Sequence, residues 1–129
     1  MQMRFLGNTG LRVSSFALGT MGFGGGSMSP VGNVESDTAK RMVSMSIDSG
    51  VNLFDTASSY SGGRSEELLG EALVGHRDQV LVSTKVHARA SDNPNDVGQS
   101  RWSIVTSCER SLRRLRSDHI DILHVHGFD

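Results

Sequence analysis

Four side chains in this sequence have types and positions suited to carbonyl chemistry: Asp55, Tyr60, Lys85 and His126. They lie at the ends of three successive predicted strands or in the loops that follow them. A phenol is a weak acid at neutral pH, and a nearby ammonium group favours its phenolate form. Lys85 would supply that charge, Asp55 would hold Lys85 by a salt bridge, and His126 would hydrogen-bond a carbonyl group beside Tyr60. The set therefore favours proton donation to a carbonyl oxygen.

Each of these residues also has a purely structural interpretation. An aspartate after a strand often caps the next turn, as Asp55 would before Thr56. A tyrosine in a loop commonly packs against its neighbours, and a lysine at the end of a strand is usually solvated. The signal lies in their joint position, because parallel strands collect such residues at one mouth, where barrel enzymes build their sites.

The elements that would position these residues alternate between strand and helix. A hairpin is predicted over 4–13, and apolar runs predict strands over 16–20, 51–55, 79–84 and 120–125. Helical periodicity predicts three helices. The first begins near Ser36 and ends at a glycine cap, Gly50; the second begins at an N-cap, Ser65; and the third covers 102–115. A glycine-rich loop is predicted over 22–33 and a polar loop over 87–100. This alternation predicts a parallel sheet with right-handed crossovers.

Two of the predicted helices carry an apolar stripe and nearby charged residues. Ser65 is expected to cap the second helix, with Glu66 and Glu67 favourably placed for the helix dipole. The predicted core-facing positions are Leu68, Leu69, Ala72 and Leu73 on the second helix, and Val105, Cys108, Leu112 and Leu115 on the third. Arginines at 110, 113, 114 and 116 are interpreted as a solvated outer face of the third helix.

Composition sets the outer bounds. The chain has 129 residues, of which 36% are hydrophobic, so it is read as one domain over 1–129 with a core. A formal net charge of −1 gives no overall attraction to nucleic acid or to an acidic membrane surface. No signal peptide or membrane-spanning run is recognised. Cys108 is the single cysteine, which excludes an intrachain disulfide and fits a reducing compartment, so a cytoplasmic location is predicted.

A histidine pair near the end of the sequence allows a different chemistry. His124 and His126 alternate along the last predicted strand, so both are expected on one face of the sheet. Such a pair can bind zinc if further ligands and a water position are available. His87 and Asp55 are candidates, but no other histidine or cysteine pair has ligand spacing. A metal-dependent barrel hydrolase is therefore kept as the weaker alternative, and no metal site is predicted.

Several stretches of the sequence resemble the aldo-keto reductases, in the branch of aryl-alcohol dehydrogenase-like enzymes and potassium-channel β subunits. LGNTGLRVS at 6–14 is similar to the opening hairpin of that family, and LGTMGFG at 18–24 to its first strand and loop. GVNLFDTASSYSGGRSEELLGEAL at 50–73 is similar to its most diagnostic stretch. VLVSTKV at 80–86 resembles the lysine strand, and SLRRLRSDHIDILHVHGFD at 111–129 the segment with the catalytic histidine.

The resemblance implies the N-terminal half of a (β/α)8 barrel that reduces an aldehyde or ketone with NADPH. It implies that Tyr60 is the proton donor, that Lys85 and Asp55 tune it, and that His126 orients the carbonyl group. It further implies that Gly19, Thr20, Met21 and Asp55 lie beside the nicotinamide end of the cofactor. Two positions depart from the family pattern: His124 stands where glutamine is common, and Gly127 where arginine often follows the histidine.

The resemblance leaves activity and assembly open. A complete barrel needs about 250 residues, and the family's later strands, which bind the rest of the cofactor, have no counterpart within these 129 residues. The main alternative to a reductase is a non-catalytic, truncated or regulatory protein with the same fold. Open sheet edges lead to the hypothesis that two chains pair. A small carbonyl compound is the expected partner, whose identity the sequence does not specify.

Overall fold

A short antiparallel hairpin opens the chain in this computed structural model, which describes residues 1–25 and 32–129. Its strands are β1 (Met3–Phe5) and β2 (Arg12–Ser14). Between them, Gly10 adopts a φ of 82°, a conformation that glycine reaches without steric cost. The hairpin is therefore confirmed, while part of the predicted glycine-rich loop over 22–33 lies outside the described residues.

Four parallel strands form the main sheet, in the order β3-β4-β5-β6. Their bounds are Leu18–Gly19 for β3, Leu53–Asp55 for β4, Leu81–Val86 for β5 and Ile122–Val125 for β6. Spatial order follows chain order, as expected when each strand is joined to the next by one crossover. The predicted parallel sheet is confirmed, with strands shorter than the apolar runs except for β5, which continues past Thr84 and takes in Lys85.

Three helices make the crossovers: α1 (Ser36–Asp48), α2 (Arg64–Ala72) and α3 (Arg101–Leu115). Short 3₁₀ turns at Tyr60–Gly63 and Arg77–Gln79 flank α2. The Ser100 hydroxyl accepts a hydrogen bond from the Ser103 amide and so caps α3. The predicted barrel segment is thus present, with one hairpin, four parallel strands and three helices. No helix in the described part of the chain is long and apolar enough to cross a membrane.

One apolar core joins the sheet to the helices. Phe54 of β4 and Val82 of β5 are fully or almost fully buried, and they meet Val43 of α1 and Leu68 and Leu69 of α2. Complete burial of a side chain of this size contributes about 1.5–3 kcal/mol. This core fixes the helices on one face of the sheet and leaves the other face for the polar residues at the strand ends.

Two predicted features of the helices are wrong. Ser65 does not cap α2; Gly63 holds that position, and the buried Ser65 hydroxyl donates to the backbone oxygen of Thr20 instead. The buried face of α3 is made of Ser103, Ser107, Ser111 and Leu115, whereas Val105 is 40% exposed. Leu115 is buried as predicted, and Cys108 and Leu112 are half-buried, so the prediction is wrong at Val105 and missed the three serines.

The outer face of β6 is left open. Leu123 and Val125 are in register with Thr84 and Val86 of β5, so all four side chains lie on one face of the sheet. Thr84 and Val86 are buried, whereas Leu123 is 40% and Val125 52% exposed. β6 is also an edge strand of the described sheet. An apolar strip beside an unpaired edge favours contact with further protein.

Candidate active site

Strand register brings the acid and the lysine of the candidate site to one face. Asp55 lies opposite Ser83 on the neighbouring strand, and Lys85 lies two residues beyond Ser83. Because side chains alternate along a strand, Asp55, Ser83 and Lys85 point to the same side of the sheet. His124 is opposite Lys85 in the next pair, on this same side. The strands therefore carry these side chains to the same edge, away from the helix-facing core.

A salt bridge joins Lys85 to Asp55. The ammonium Nζ lies 2.6 Å from Asp55 Oδ2 and also donates to the Thr56 backbone oxygen at 2.6 Å. The second carboxylate oxygen accepts a hydrogen bond from the Ser83 hydroxyl at 2.8 Å. Lys85 is only 15% exposed, so its long chain is held in one position. These contacts hold the Lys85 ammonium group in place at the carboxyl ends of the strands.

Ser83 and the Thr56 carbonyl are parts of this arrangement that sequence reasoning missed. Ser83 precedes Lys85 by two residues, so strand alternation already placed it on the same face. The position of Ser83 could therefore have been predicted from the sequence. The role of the Thr56 carbonyl could not, because every residue has a backbone carbonyl and only the folded structure shows its direction.

A strained turn carries Tyr60 toward the lysine. Tyr60 opens the 3₁₀ turn after β4, and Ser61 follows with a φ of 49°, which is unusual for a residue other than glycine. The Ser61 hydroxyl donates to the Phe23 backbone oxygen at 2.9 Å, which ties the turn to the loop after β3. Lys85 Nζ lies 5.0 Å from the centre of the Tyr60 ring. The ammonium group therefore lies over the face of the Tyr60 ring.

His126 completes the group beside Tyr60. Its backbone amide donates to the Val86 oxygen at 2.8 Å, which extends the β5–β6 pairing by one bond. The two rings meet edge to face, with centroids 6.0 Å apart. Partial desolvation lowers the pKa of His126, and the Lys85 charge lowers it further, while Asp55 opposes the change. The imidazole is therefore neutral near pH 7 and can donate one hydrogen bond.

The four predicted catalytic residues thus lie together, and a fifth side chain stands beside them. His87 follows β5 with a φ of 141°, and its ring packs directly on Gly127. A Cβ at position 127 would lie 2.7 Å from two atoms of the His87 ring. A larger residue there would force the ring to move. The glycine that departs from the family pattern is therefore matched to His87.

The residues expected beside a cofactor lie at the same end of the sheet, but they differ in their exposure to solvent. Gly19 is exposed, and a Cβ built on it would meet nothing within 4 Å, so space is open above β3. Met21 is 36% exposed and the Asp55 side chain 33%. Thr20, in contrast, is fully buried, with its hydroxyl 2.8 Å from that of Ser65 and 3.2 Å from the Asp55 backbone oxygen. Thr20 therefore offers no surface to a ligand, because its backbone amide donates to Asp55 and its backbone oxygen accepts from Phe23 and Ser65.

The histidine pair at the end of β6 does not form a ligand cluster. Within residues 1–25 and 32–129, no three His, Cys, Asp or Glu side chains are grouped closely enough to hold a metal ion. The zinc alternative needs such a group in addition to His124 and His126. The described side chains therefore give it no support.

Two arginines of α3 belong to buried ion pairs, which corrects their interpretation as a solvated face. Arg114 Nε lies 2.6 Å from Oε2 of Glu66, a side chain with no solvent exposure. Arg110 Nη2 lies 2.8 Å from Oδ2 of Asp96, whose side chain is 2% exposed. Arg116, at 57% exposure, does fit the solvated interpretation. Carboxylates this deeply buried need charge partners, and the arginines at helical spacing supply them.

Glu66 lies in the first turn of α2, as predicted, and its carboxylate also makes contacts beyond that helix. Its Oε1 accepts a hydrogen bond from the Thr84 hydroxyl at 2.6 Å, so the carboxylate joins α2, β5 and α3. The pair with Arg114 lies beneath the Tyr60 turn, because Arg114 packs on Gly63 at the end of that turn. The buried pair therefore contacts the last residue of the turn that begins at Tyr60.

A parallel sheet with helical crossovers and polar residues at its strand ends is typical of part of a β/α barrel. Comparison with known proteins identifies the family within this fold. The pattern of the Aldo/keto reductase family matches residues 15–129. The whole chain aligns with an uncharacterized oxidoreductase, YrpG, of Bacillus subtilis at 38% identity and covers 41% of that protein. It aligns equally in full with a probable voltage-gated potassium channel subunit beta of Arabidopsis thaliana, at 37% identity and 38% of that length.

Solved structures give the same result. The aldo-keto reductase AKR11C1 from Bacillus halodurans, in its holo form, superposes with a TM-score of 0.82 at 31% sequence identity. All of this chain is covered, and 41% of that one. The chain belongs to the aldo/keto reductase family. It spans about two fifths of the length of the relatives it matches and forms the N-terminal part of the barrel.

Proposed function

We propose that this chain carries the proton-transfer residues of an NADPH-dependent reductase that converts an aldehyde or ketone to an alcohol. The observation that supports it is the contact series from Asp55 through Lys85 to Tyr60 and His126. Four functional groups from three strand ends meet at one mouth, although up to 71 positions separate them in the sequence (126 minus 55). Lys85 is only 15% exposed while paired with Asp55, which separates this contact from an ordinary solvated ion pair.

Each residue has a role in the proposed reaction. The neutral His126 donates a hydrogen bond to the carbonyl oxygen and holds it beside the Tyr60 hydroxyl. Tyr60 gives its proton to that oxygen as the new C–H bond forms, and the phenolate left behind is stabilised by the Lys85 ammonium. Asp55 and the Thr56 carbonyl hold Lys85 in position. When bound, the nicotinamide cofactor supplies the hydride that the carbonyl carbon accepts.

The open mouth beside β3 fits the nicotinamide end of such a cofactor. Gly19 and Met21 would border it, with Asp55 at its base. The adenosine end would need residues outside the two fifths of the barrel that this chain represents. Cofactor binding by the 129-residue chain alone is therefore the first property to measure, by calorimetric titration with NADPH.

The deciding variant is Tyr60→Phe, which removes the phenolic proton and keeps the ring. The test uses the purified chain and a chimera in which residues 1–129 precede the remainder of the Bacillus halodurans reductase. Turnover of 4-nitrobenzaldehyde should fall by about 100-fold or more in Tyr60→Phe, the usual loss of a general acid. NADPH affinity should stay unchanged. Undiminished turnover in this variant would remove Tyr60 from the mechanism.

A matched control separates the alternatives. His124→Gln restores the family's common residue beside Lys85 and should leave reduction intact. It would abolish a reaction that depended on a metal held by His124 and His126, and only that reaction would also be sensitive to a chelator. A folded chimera that binds NADPH but reduces no carbonyl compound would favour the non-catalytic alternative instead.

A further inference from the structure

A cavity outside the four catalytic residues has the lining of an anion site. It has a volume of about 160 Å³ and lies between the loop after β4, the loop after β5 and α3. Its functional groups are three guanidinium groups and three hydroxyl groups, from Arg89, Arg110, Arg114, Ser58, Ser59 and Ser107. The other lining residues are one glycine and two alanines, so none of the described lining residues is acidic.

The carboxylates that pair with the arginines stand behind them and not in the cavity. Asp96 binds Arg110 through Nη2, and Glu66 binds Arg114 through Nε. Each acid therefore fixes its guanidinium group while leaving other N–H groups for a ligand. Nη1 of Arg110 is enclosed and makes no hydrogen bond to the described residues, so the guanidinium group would have to turn slightly to present it to a ligand. A buried donor without an acceptor is costly and favours a ligand or water nearby.

Arg89 adds a charge that no described carboxylate neutralises. Its Nη1 contacts only the backbone oxygens of Ser91 and Asn93, at 3.3 and 3.5 Å. These bonds are long, so Arg89 can turn toward a stronger acceptor without losing much. With the other two arginines already paired, the cavity keeps one uncompensated positive charge and several ordered donors.

We propose that this cavity binds a tetrahedral dianion, as free phosphate or as the phosphate group of a small phosphomonoester. Donors approach it from three directions: the serines after β4, Arg89 after β5, and the arginines of α3. A tetrahedral anion presents oxygens to all three, whereas a planar carboxylate reaches fewer. Ser58 and Ser59 directly precede Tyr60, so an occupied site would hold the start of the Tyr60 turn.

Binding is measured by NMR on the ¹⁵N-labelled 129-residue chain at constant ionic strength, with inorganic phosphate, glycerol 2-phosphate and acetate as probes. Saturable shifts are expected at the amides of Ser59 and Ala90 with phosphate. Glycerol 2-phosphate distinguishes the sources: equal binding indicates a phosphomonoester ligand, and exclusion indicates the free anion. Acetate binding as tightly as phosphate would overturn the assignment, as would phosphate shifts that do not saturate.

Two charge-matched variants test the location. Arg89→Gln should weaken phosphate binding about tenfold, the value of one charge-assisted hydrogen bond. Arg41→Gln removes an equal charge from an exposed position on α1 and should leave the affinity unchanged. Equal weakening in both would mean only general electrostatic attraction and would refute the site. The test needs neither NADPH nor a carbonyl substrate, so its result is independent of the proposed reductase activity.

Discussion

The pair between Glu66 and Arg114 gives the sharpest stability prediction, because its two members are buried to different extents. Glu66 has no exposed side-chain surface, whereas Arg114 is 24% exposed. Arg114→Met keeps most of the packed stem and removes the charge, so Glu66 is left in the interior with only the Thr84 hydroxyl. Glu66→Gln keeps the shape and the Thr84 contact, and it leaves an arginine that can reach solvent. The two substitutions should therefore differ in cost.

The expected magnitudes follow from that difference. Removing one partner of a buried ion pair costs about 3–5 kcal/mol when the other stays buried, which applies to Arg114→Met. Losing a charged hydrogen bond while the partner can be solvated costs about 1.5–3 kcal/mol, which applies to Glu66→Gln. Either value is a large share of the about 5–15 kcal/mol by which a domain is usually stable.

Urea unfolding followed by far-UV circular dichroism measures both costs, and the double variant completes the cycle. Arg116→Gln is the matched control, because its contact with Glu71 at 3.3 Å involves a 57% exposed arginine and should contribute less than about 1 kcal/mol. The reasoning is refuted if Glu66→Gln costs more than Arg114→Met, or if Arg114→Met costs no more than the control Arg116→Gln.

Four further predictions concern the site and the open edge. Lys85→Met should raise the pKa of His126, since it removes a charge that lowers it; NMR titration of the imidazole would show no change if Lys85 had no influence. In the unaltered chain, the lowered pKa of His126 means that its contribution to stability is complete above about pH 6.5 and is lost as the pH falls through the folded-state pKa. Urea titrations at pH 7 and 5 should show this decline, and His126→Gln should make it smaller. Ser61→Ala should cost about 1 kcal/mol by loss of the hydroxyl that donates to the backbone oxygens of Phe23 and Gly25, and Ser61→Gly less, because glycine adopts the positive φ without strain. Sedimentation should detect association of the 129-residue chain that Val125→Lys weakens; a monomer at all concentrations would contradict pairing through β6.

Local patterns predicted the helices well because their signals lie close together in the sequence. The periodicity that began at Ser36 and the glycine at position 50 marked α1 almost to the residue. The positions of Asp55, Lys85 and His126 at or next to the ends of strands likewise followed from short apolar runs. These signals depend on backbone geometry over a few residues, so one sequence is enough to read them.

Local patterns failed where a residue's role depends on a distant partner. Ser65 has the composition of a helix cap, yet its hydroxyl bonds to Thr20, 45 positions away. The third helix buries serines because its neighbours lie close, and an apolar stripe alone does not reveal that spacing. Arg114 was interpreted as solvated because its acid partner is 48 positions earlier.

The sequence by itself determined the order of elements, the parallel sheet and the types of residue available for proton transfer. Composition and periodicity carry that information because each helix and strand must bury one face. Only the tertiary structure decided which of those residues meet. Strand register put Ser83 beside Asp55, the Ser61 turn brought Tyr60 within 5.0 Å of Lys85, and Gly127 left room for His87. Such contacts depend on packing between segments far apart in the chain, which short-range patterns do not encode.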